Sequence, residues 1–277
     1  MRSEHRHNAS ARKRLLSLAT GSLPEFGPVA VAEAAAAAGW EACGIWFDAA
    51  TWSAQTTHDT REAFARNGLL ALDIEVVWIH PGPVDPNHER LLEAGAEIGA
   101  RNALVVSSDP DIEATKRRFE AICRIADRCG LDACFEFLPI TAVQSLPAAL
   151  DVIRAVDHPR AKLLVDALHL ARSGGTPEQL AGLPAELFNY AQICDAPADL
   201  SPMTHETLLQ EALDGRLLPG KGELPLRRLL DALPAGLALA PEQRSRALRE
   251  RYPDATERAA VVLHATRAFL RPEFETT

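Results

Sequence analysis

Four short apolar runs in the second half of the chain each end on a side chain that can hold a divalent cation. They end at Glu136, Asp166, Gln192 and Glu242. Amphipathic segments with Gly and Pro punctuation lie between them, which is typical of alternating strands and helices. A single polar residue at a strand end is ordinarily a cap or an ion-pair partner. In a parallel barrel, however, successive strands end on the same face, so four such residues are expected to converge.

The first half of the chain has the same alternating pattern. A helix is predicted to begin at Pro28 and to end at Gly39, and Ser145 is expected to cap a later helix. Eight strand–helix units in 277 residues, close to the ~250 typical of this architecture, predict a single (β/α)8 TIM barrel over residues 15–272. The predicted strands of this half cover residues 15–20, 43–47, 71–79 and 103–106.

Residues 1–14 differ from the rest of the chain. Five basic side chains face one acid there, and almost nothing is apolar. Such a segment cannot bury enough surface to order itself, so we predict a flexible basic tail. Contact of this tail with a partner subunit, and hence a homodimer, is left open.

Composition excludes several classes of function. The formal net charge of −9 disfavours nucleic-acid and anionic-membrane binding, because both require a positive field. No apolar run approaches the ~20 residues of a membrane span, and residues 15–20 are too short for a signal-peptide core. The five cysteines are an odd number without close-spaced pairs, so we expect free thiols, and a cytoplasmic protein, rather than a disulfide framework.

Further candidate side chains follow the same strand ends. Asp166 and His169 are three residues apart, so a turn after the strand would direct both into one pocket, with the imidazole available for proton transfer. His80 follows the third strand, where it either binds a substrate hydroxyl or is an ordinary loop residue. Trp46 near the second strand's end either stacks on a sugar ring or fills the barrel top.

A turn rich in glycine follows Arg216. Arg216 can bind a carboxylate or phosphate through two hydrogen bonds, and the glycines of residues 219–223 allow close backbone approach to a ligand. The longer phosphate-binding loop pattern is absent. Glu75, inside the third strand, is interpreted as a buried structural acid.

Four segments carry a family resemblance. They are residues 135–139 (FEFLP), 165–174 (VDALHLARSG), 192–197 (QICDAP) and 216–223 (RLLPGKGE). Together they resemble the sugar phosphate isomerase/epimerase family of xylose-isomerase-like TIM barrels, which also contains inosose and dehydroshikimate dehydratases. The likeness extends over about residues 16–270. It implies a divalent metal on Glu136, Asp166, Gln192 and Glu242, and substrate recognition by Arg216.

The oxygen-only donor set suits Mn²⁺ or Mg²⁺, while Zn²⁺, Co²⁺ and Fe²⁺ remain open. A cation bound to a substrate carbonyl acidifies the adjacent C–H by stabilising an enediolate. The resemblance implies that Glu136 and Glu242 move the proton, and His169 is a further catalytic candidate. Pro241 departs from this pattern, because it removes a hydrogen-bond donor next to Glu242.

We therefore expect a metal-dependent isomerase or epimerase acting on a small keto-sugar, polyol or related hydroxy-carbonyl compound. A dehydratase of the inosose or dehydroshikimate type uses the same apparatus and is the first alternative. A catalytically inactive barrel that serves as a partner is the second. A DNA-repair endonuclease of the same fold would need more His and Asp ligands and a basic face.

Overall fold

The computed structural model describes residues 14–271. The predicted tail therefore lies outside the described residues except for Arg14, as does the predicted domain end at residue 272. Arg14 donates hydrogen bonds to the carbonyl oxygens of Leu230, Pro234 and Leu237 at 2.9–3.2 Å. Arg14 is thus bound to the barrel, and the part of the chain tied to the fold begins at least one residue earlier than predicted.

Eight strands form one sheet in which every neighbouring pair is parallel and the strand order follows the chain. The sheet closes where Leu16 bridges Leu239 and where Leu239 N–H donates to Leu15 O at 2.9 Å. The predicted (β/α)8 TIM barrel is confirmed. The strands are β1 (Ser17–Leu18), β2 (Ala42–Trp46), β3 (Leu70–Ile79), β4 (Asn102–Ser107), β5 (Asp132–Glu136), β6 (Ala161–Asp166), β7 (Tyr190–Ile193) and β8 (Ala238–Pro241).

Ten helices lie between or after the strands of the described chain. They are α1 (Pro28–Ala38), α2 (Ala54–Asn67), α3 (Asn87–Ile98), α4 (Ile112–Cys129), α5 (Leu146–Val156), α6 (Ala167–Arg172), α7 (His205–Asp214), α8 (Leu226–Ala232), α9 (Arg246–Arg251) and α10 (Ala255–Leu270). Helix α1 starts at Pro28 and is closed by Gly39 in the left-handed conformation, as predicted. Ser145 occupies the N-cap position of α5, but its side chain accepts no capping hydrogen bond.

Two apolar layers stabilise this arrangement. The larger layer packs the outer sheet face against the helices, with Ile45, Ile74, Phe119, Phe135 and Val262 among its buried members. The smaller layer fills the barrel interior and consists of Ala19, Ala42, Leu72, Leu104, Val106, Cys134, Leu164, Tyr190 and Ala240. The polar side chains of the predicted site lie beyond this layer, at the end where the strands finish.

The cysteines agree with the sequence prediction. All five are free, four are buried, and Cys129 is half-buried. Within residues 14–271, no helix combines the length and the apolar character needed to cross a bilayer.

Candidate active site

A small cavity opens at the carboxyl ends of the strands. Its volume is about 90 Å³. Its walls include seven polar or charged side chains, together with two tryptophans. These residues are Trp46, Glu75, Trp78, Glu136, His169, Gln192, Arg216, Glu242 and Arg244. The barrel thus brings together most of the predicted site residues, from six different strands and the loops that follow them.

Arg216 lies at the centre of the charged groups and is only 2% exposed. Its Nη1 donates to Asp166 Oδ2 at 2.7 Å, and its Nη2 lies 2.9 Å from Glu242 Oε2. Its Nε donates to the Ala212 carbonyl at 3.0 Å, which fixes the side chain from behind. The guanidinium therefore serves as the counter-ion of two predicted metal ligands, a role that the sequence did not indicate.

Asp166 is both the last residue of β6 and the N-cap of α6. Its Oδ1 accepts the backbone N–H groups of Leu168 and His169 at 2.8 and 3.0 Å. Burial alone would raise the pKa of Asp166, but Arg216, His169 and these hydrogen bonds outweigh it and lower that pKa. Asp166 is therefore ionised at neutral pH, as a cation ligand must be.

His169 is buried in the cavity wall, one helical turn after Asp166. Its Nε2 lies 3.4 Å from Arg216 Nη2. Burial lowers the pKa of His169 and outweighs the opposing effect of Asp166. The imidazole is therefore neutral near pH 7, which suits hydrogen bonding to a substrate hydroxyl.

Glu136 and Gln192 present unused polar atoms to the cavity. Glu136 Oε1 and both polar atoms of the Gln192 side chain are buried without a hydrogen-bond partner. Burial and the neighbouring Asp166 and Glu242 carboxylates raise the pKa of Glu136 well above its usual range. Unpartnered buried polar atoms are costly in a folded protein, so their clustering in one cavity points to a ligand.

Glu242 reaches the cavity despite the preceding proline. Pro241 is the last residue of β8, and its carbonyl accepts from Ala19 N–H at 3.3 Å and from Ser22 Oγ at 3.2 Å. Glu242 N–H resumes the ladder by donating to Ile193 O at 3.0 Å. The ladder thus continues on both sides of Pro241, and Glu242 remains in the cavity wall.

The donor chemistry fits a hard or borderline divalent cation. Glu136 and Gln192 offer unpartnered oxygens, while Asp166 and Glu242 are ionic and paired with Arg216. In this conformation, no three His, Cys, Asp or Glu side chains among residues 14–271 are arranged to hold a metal. Cation binding would therefore require Asp166 and Glu242 to share their oxygens with Arg216 or to turn away from it.

His80 lies outside this cavity, contrary to the expectation that it faces the same mouth. It stacks on Trp78 with ring centroids 5.5 Å apart and lines a neighbouring cleft of about 420 Å³. Trp78 forms the wall between the two spaces. From β3 the site receives Glu75 and Trp78, whereas His80 follows Ile79, the last residue of the strand.

Glu75 is buried, as interpreted from the sequence, but it also lines the cavity and its Oε1 has no partner. Burial, with Asp73 and Glu242 nearby, raises the pKa of Glu75 well above its usual range. Asp73 lies below it and accepts a 3.3 Å hydrogen bond from the Tyr190 hydroxyl. Two acids at alternate positions of an apolar strand were the signal that could have identified this pair.

Arg244 is a site residue that the sequence analysis missed. Its Nε donates to Glu242 Oε1 at 3.1 Å, and its guanidinium lies 5.6 Å above the ring centroid of Trp46. Trp46 is 40% exposed, so it belongs to the rim of the cavity rather than to the barrel core. The spacing of Arg244, two residues after Glu242, could have suggested its place.

The glycine-rich turn after Arg216 is organised by Asp195. Its Oδ1 accepts the backbone N–H groups of Ala196 and Leu224, and its Oδ2 accepts that of Gly220. A Cβ at Gly222 would lie 2.3 Å from the Ala196 carbonyl oxygen. These glycines permit close packing of the loop on the barrel, rather than the close approach to a ligand that we expected. Lys221 lines a different groove.

Comparisons with known proteins agree with this architecture. A family model described as the xylose isomerase-like TIM barrel matches residues 32–255. No curated protein matches the sequence. A xylose isomerase-like TIM barrel/4-hydroxyphenylpyruvate dioxygenase fusion protein is 22% identical with a TM-score of 0.77; the match covers 91% of this chain but only 42% of the fusion protein.

Three single-barrel structures match nearly from end to end. The IolI protein, described with a binding zinc atom, is 16% identical with a TM-score of 0.76, over 94% of this chain and 99% of IolI. D-Psicose 3-epimerase from Clostridium cellulolyticum H10 is 14% identical with a TM-score of 0.69, over 92% and 99%. The probable 3-DHS dehydratase AsbF from Bacillus anthracis is 15% identical with a TM-score of 0.69, over 90% and 98%.

At these identities the structural matches establish the shared fold alone. The family model covers most of the chain, and its barrel is the one observed here. The chain belongs to the xylose isomerase-like TIM barrel family.

Proposed function

We propose that this protein is a divalent-metal-dependent isomerase or epimerase of a small keto-sugar, polyol or related hydroxy-carbonyl compound, acting through an enediolate. The observation that carries the proposal is the collection of unpartnered oxygens of Glu136 and Gln192 beside the ionic Asp166 and Glu242, at the barrel mouth. Membership of a family with epimerase structures supports it.

Glu136, Asp166, Gln192 and Glu242 would hold the cation, with Mn²⁺ or Mg²⁺ suited to the all-oxygen set. When bound, the cation supplies positive charge that stabilises negative charge developing on a substrate oxygen. The zinc described for IolI leaves the identity of the metal open.

Different side chains of the cavity accept and donate protons. Glu136 removes the proton from the carbon next to the carbonyl, because its Oε1 is free of protein partners and faces the cavity. In an epimerisation, Glu242, held by Arg216 and Arg244, takes up a proton from water and delivers it from its own side of the cavity, while Glu136 releases the abstracted proton to water. The neutral His169 hydrogen-bonds a substrate hydroxyl, and Arg216 keeps Asp166 and Glu242 in place.

Dehydration is the second candidate, and Glu75 is the observation that favours it. A β-elimination needs an acid that protonates the departing hydroxyl, and Glu75 adds a further buried carboxyl to the same cavity. The match to the AsbF dehydratase is compatible with this chemistry. The two reactions differ in product, since only dehydration creates a conjugated double bond.

Glu136→Gln tests the proposal, because the amide keeps an oxygen but cannot accept the proton. Loaded with Mn²⁺ and incubated with a panel of ketohexoses and keto-polyols in deuterated water, this variant should lose C–H exchange by about 10²–10⁴-fold. Glu89→Gln, an exposed change on α3, is the matched control and should exchange normally. Ultraviolet absorbance of the products reports dehydration. Near-normal exchange in metal-loaded Glu136→Gln would transfer the base role to Glu242 or His169.

A further inference from the structure

The two arginines of the cavity differ in how their hydrogen-bonding capacity is used. Arg216 is buried, and all three guanidinium nitrogens contact protein groups. Arg244 is 17% exposed, and within residues 14–271 its polar side-chain contacts run through Nε alone. Its two Nη groups are therefore available at the rim of the cavity.

Arg244 is nevertheless held in a defined position. Its Nε is bonded to Glu242, its guanidinium lies over the Trp46 ring, and its backbone carbonyl accepts the Arg216 N–H at 3.1 Å. A guanidinium fixed by a carboxylate and an aromatic face loses little freedom when it binds a second ligand. Such a group is suited to a planar anion, which takes two parallel hydrogen bonds.

The depth of each side chain in the cavity determines which part of a substrate would reach Arg244. Glu136 and Gln192 are buried, whereas Trp46 is 40% exposed and Arg244 17% exposed, so the reacting carbons and their oxygens lie at the inner end. The remainder of a five- or six-carbon substrate would extend to the rim, between Trp46 and Arg244. A cation in the site would add positive charge to a wall that already holds two arginines, so a negative group at the rim is favoured.

We propose that Arg244, positioned by Trp46, selects substrates that carry a carboxylate at the end distal to the reacting carbonyl, such as keturonates. This inference rests on the proposed function for the position of the reacting end. A phosphate shares the anionic chemistry and can also take two hydrogen bonds from a guanidinium, so ketose 6-phosphates form a separate arm of the test.

Matched ligand pairs test this selectivity. Ketoses, keturonates and ketose 6-phosphates of the fructose and tagatose series are titrated calorimetrically into the protein, with and without Mn²⁺. At least one keturonate should bind more tightly than its parent ketose by about 10- to 100-fold, the range of a charge-assisted hydrogen bond. Arg244→Gln should remove this preference, so that a keturonate and its parent ketose bind within about twofold of each other. Arg246→Gln removes an exposed arginine paired with Asp214, makes the same charge change, and should preserve the preference.

Three results would overturn the inference: no keturonate binds more tightly than its ketose, Arg244→Gln weakens both members equally, or the 6-phosphates alone gain from Arg244. Deuterium exchange measured on the same samples separates this inference from the proposed function. Exchange that is equal for neutral and anionic ligands retains the function and rejects the role of Arg244. Keturonate preference that depends on Arg244, without any exchange, retains the role of Arg244 and rejects the function.

Discussion

Gly21→Ala tests whether the position of Glu242 matters for the site. Gly21 lies in a short 3-10 turn after β1, and a Cβ there would meet Glu242 Oε1 at 2.2 Å and Arg244 Nε at 2.8 Å. Real Cβ contacts essentially never fall below 3.0 Å, so the carboxylate has to move by about 0.8 Å. Both affected atoms are ends of flexible side chains, which can move without disturbing the backbone.

The expected consequence is a functional defect without a large loss of stability. A shift of this size disturbs the 2.9 Å pair between Glu242 and Arg216. We expect Mn²⁺ affinity to fall about 10- to 100-fold, as for changes that misplace a metal ligand. Catalysis should fall about 100-fold, the usual cost of an error near 1 Å. The free energy of unfolding should change by less than about 1 kcal/mol, or a few degrees in Tm.

Calorimetric Mn²⁺ titration and thermal unfolding measure the two effects on the same samples. Gly27→Ala is the matched control, because a Cβ there meets no atom within 4 Å and the backbone φ of −70° is acceptable to alanine. Gly21→Ala with the Mn²⁺ affinity of the control would refute the reasoning that Glu242 contributes from its observed position. A large fall in Tm would instead show that the turn cannot adjust.

Two further predictions concern residues beneath and beside the cavity. Burial, with Glu242 nearby, raises the pKa of Asp73 to about 7, so the folded state holds a proton that the unfolded state has already lost above about pH 4. Asp73 should therefore lower the free energy of unfolding by about 1.4 kcal/mol per pH unit between these two pKa values, in addition to the contributions of Glu75 and Glu136, whose pKa values are also raised. Urea titrations of Asp73→Asn should show a shallower fall with pH than the wild type, by about this amount, and equal slopes would contradict the assignment. Asp195→Asn places an amide NH₂ against the Gly220 N–H or against the Ala196 and Leu224 N–H groups. This should lower the free energy of unfolding, measured with urea, by about 1–3 kcal/mol. An unchanged urea midpoint would show that the loop does not depend on Asp195.

The sequence predicted the barrel because its signals are local and repeated. Each of these signals reflects one rule of backbone geometry. They are the apolar runs, the start of α1 at Pro28 and its end at Gly39, and the polar residues at strand ends. Glu136, Gln192 and Glu242 line one cavity and Asp166 pairs with Arg216 in its wall, because parallel strands end on one face.

What the sequence did not predict depends on contacts between distant segments. The pairing of Arg216 with Asp166 and Glu242 joins residues 50 and 26 positions apart, so no local pattern reports it. Glu75 and Trp78 both line the site although they are three residues apart in one strand, because the register of β3 shifts between Ile74 and Val77. A shift of one residue reverses which side chains face the interior.

Gln192→Leu, titrated with Mn²⁺, tests the central claim most directly. The two polar atoms of Gln192 are buried without partners, so the substitution breaks no described hydrogen bond and should leave the metal-free protein equally or more stable. If the strand-end residues form a metal site, the wild type binds one Mn²⁺ per chain and Gln192→Leu binds it at least about 10-fold more weakly. Unchanged Mn²⁺ affinity in the folded variant, or no Mn²⁺ binding by the wild type, would contradict the account.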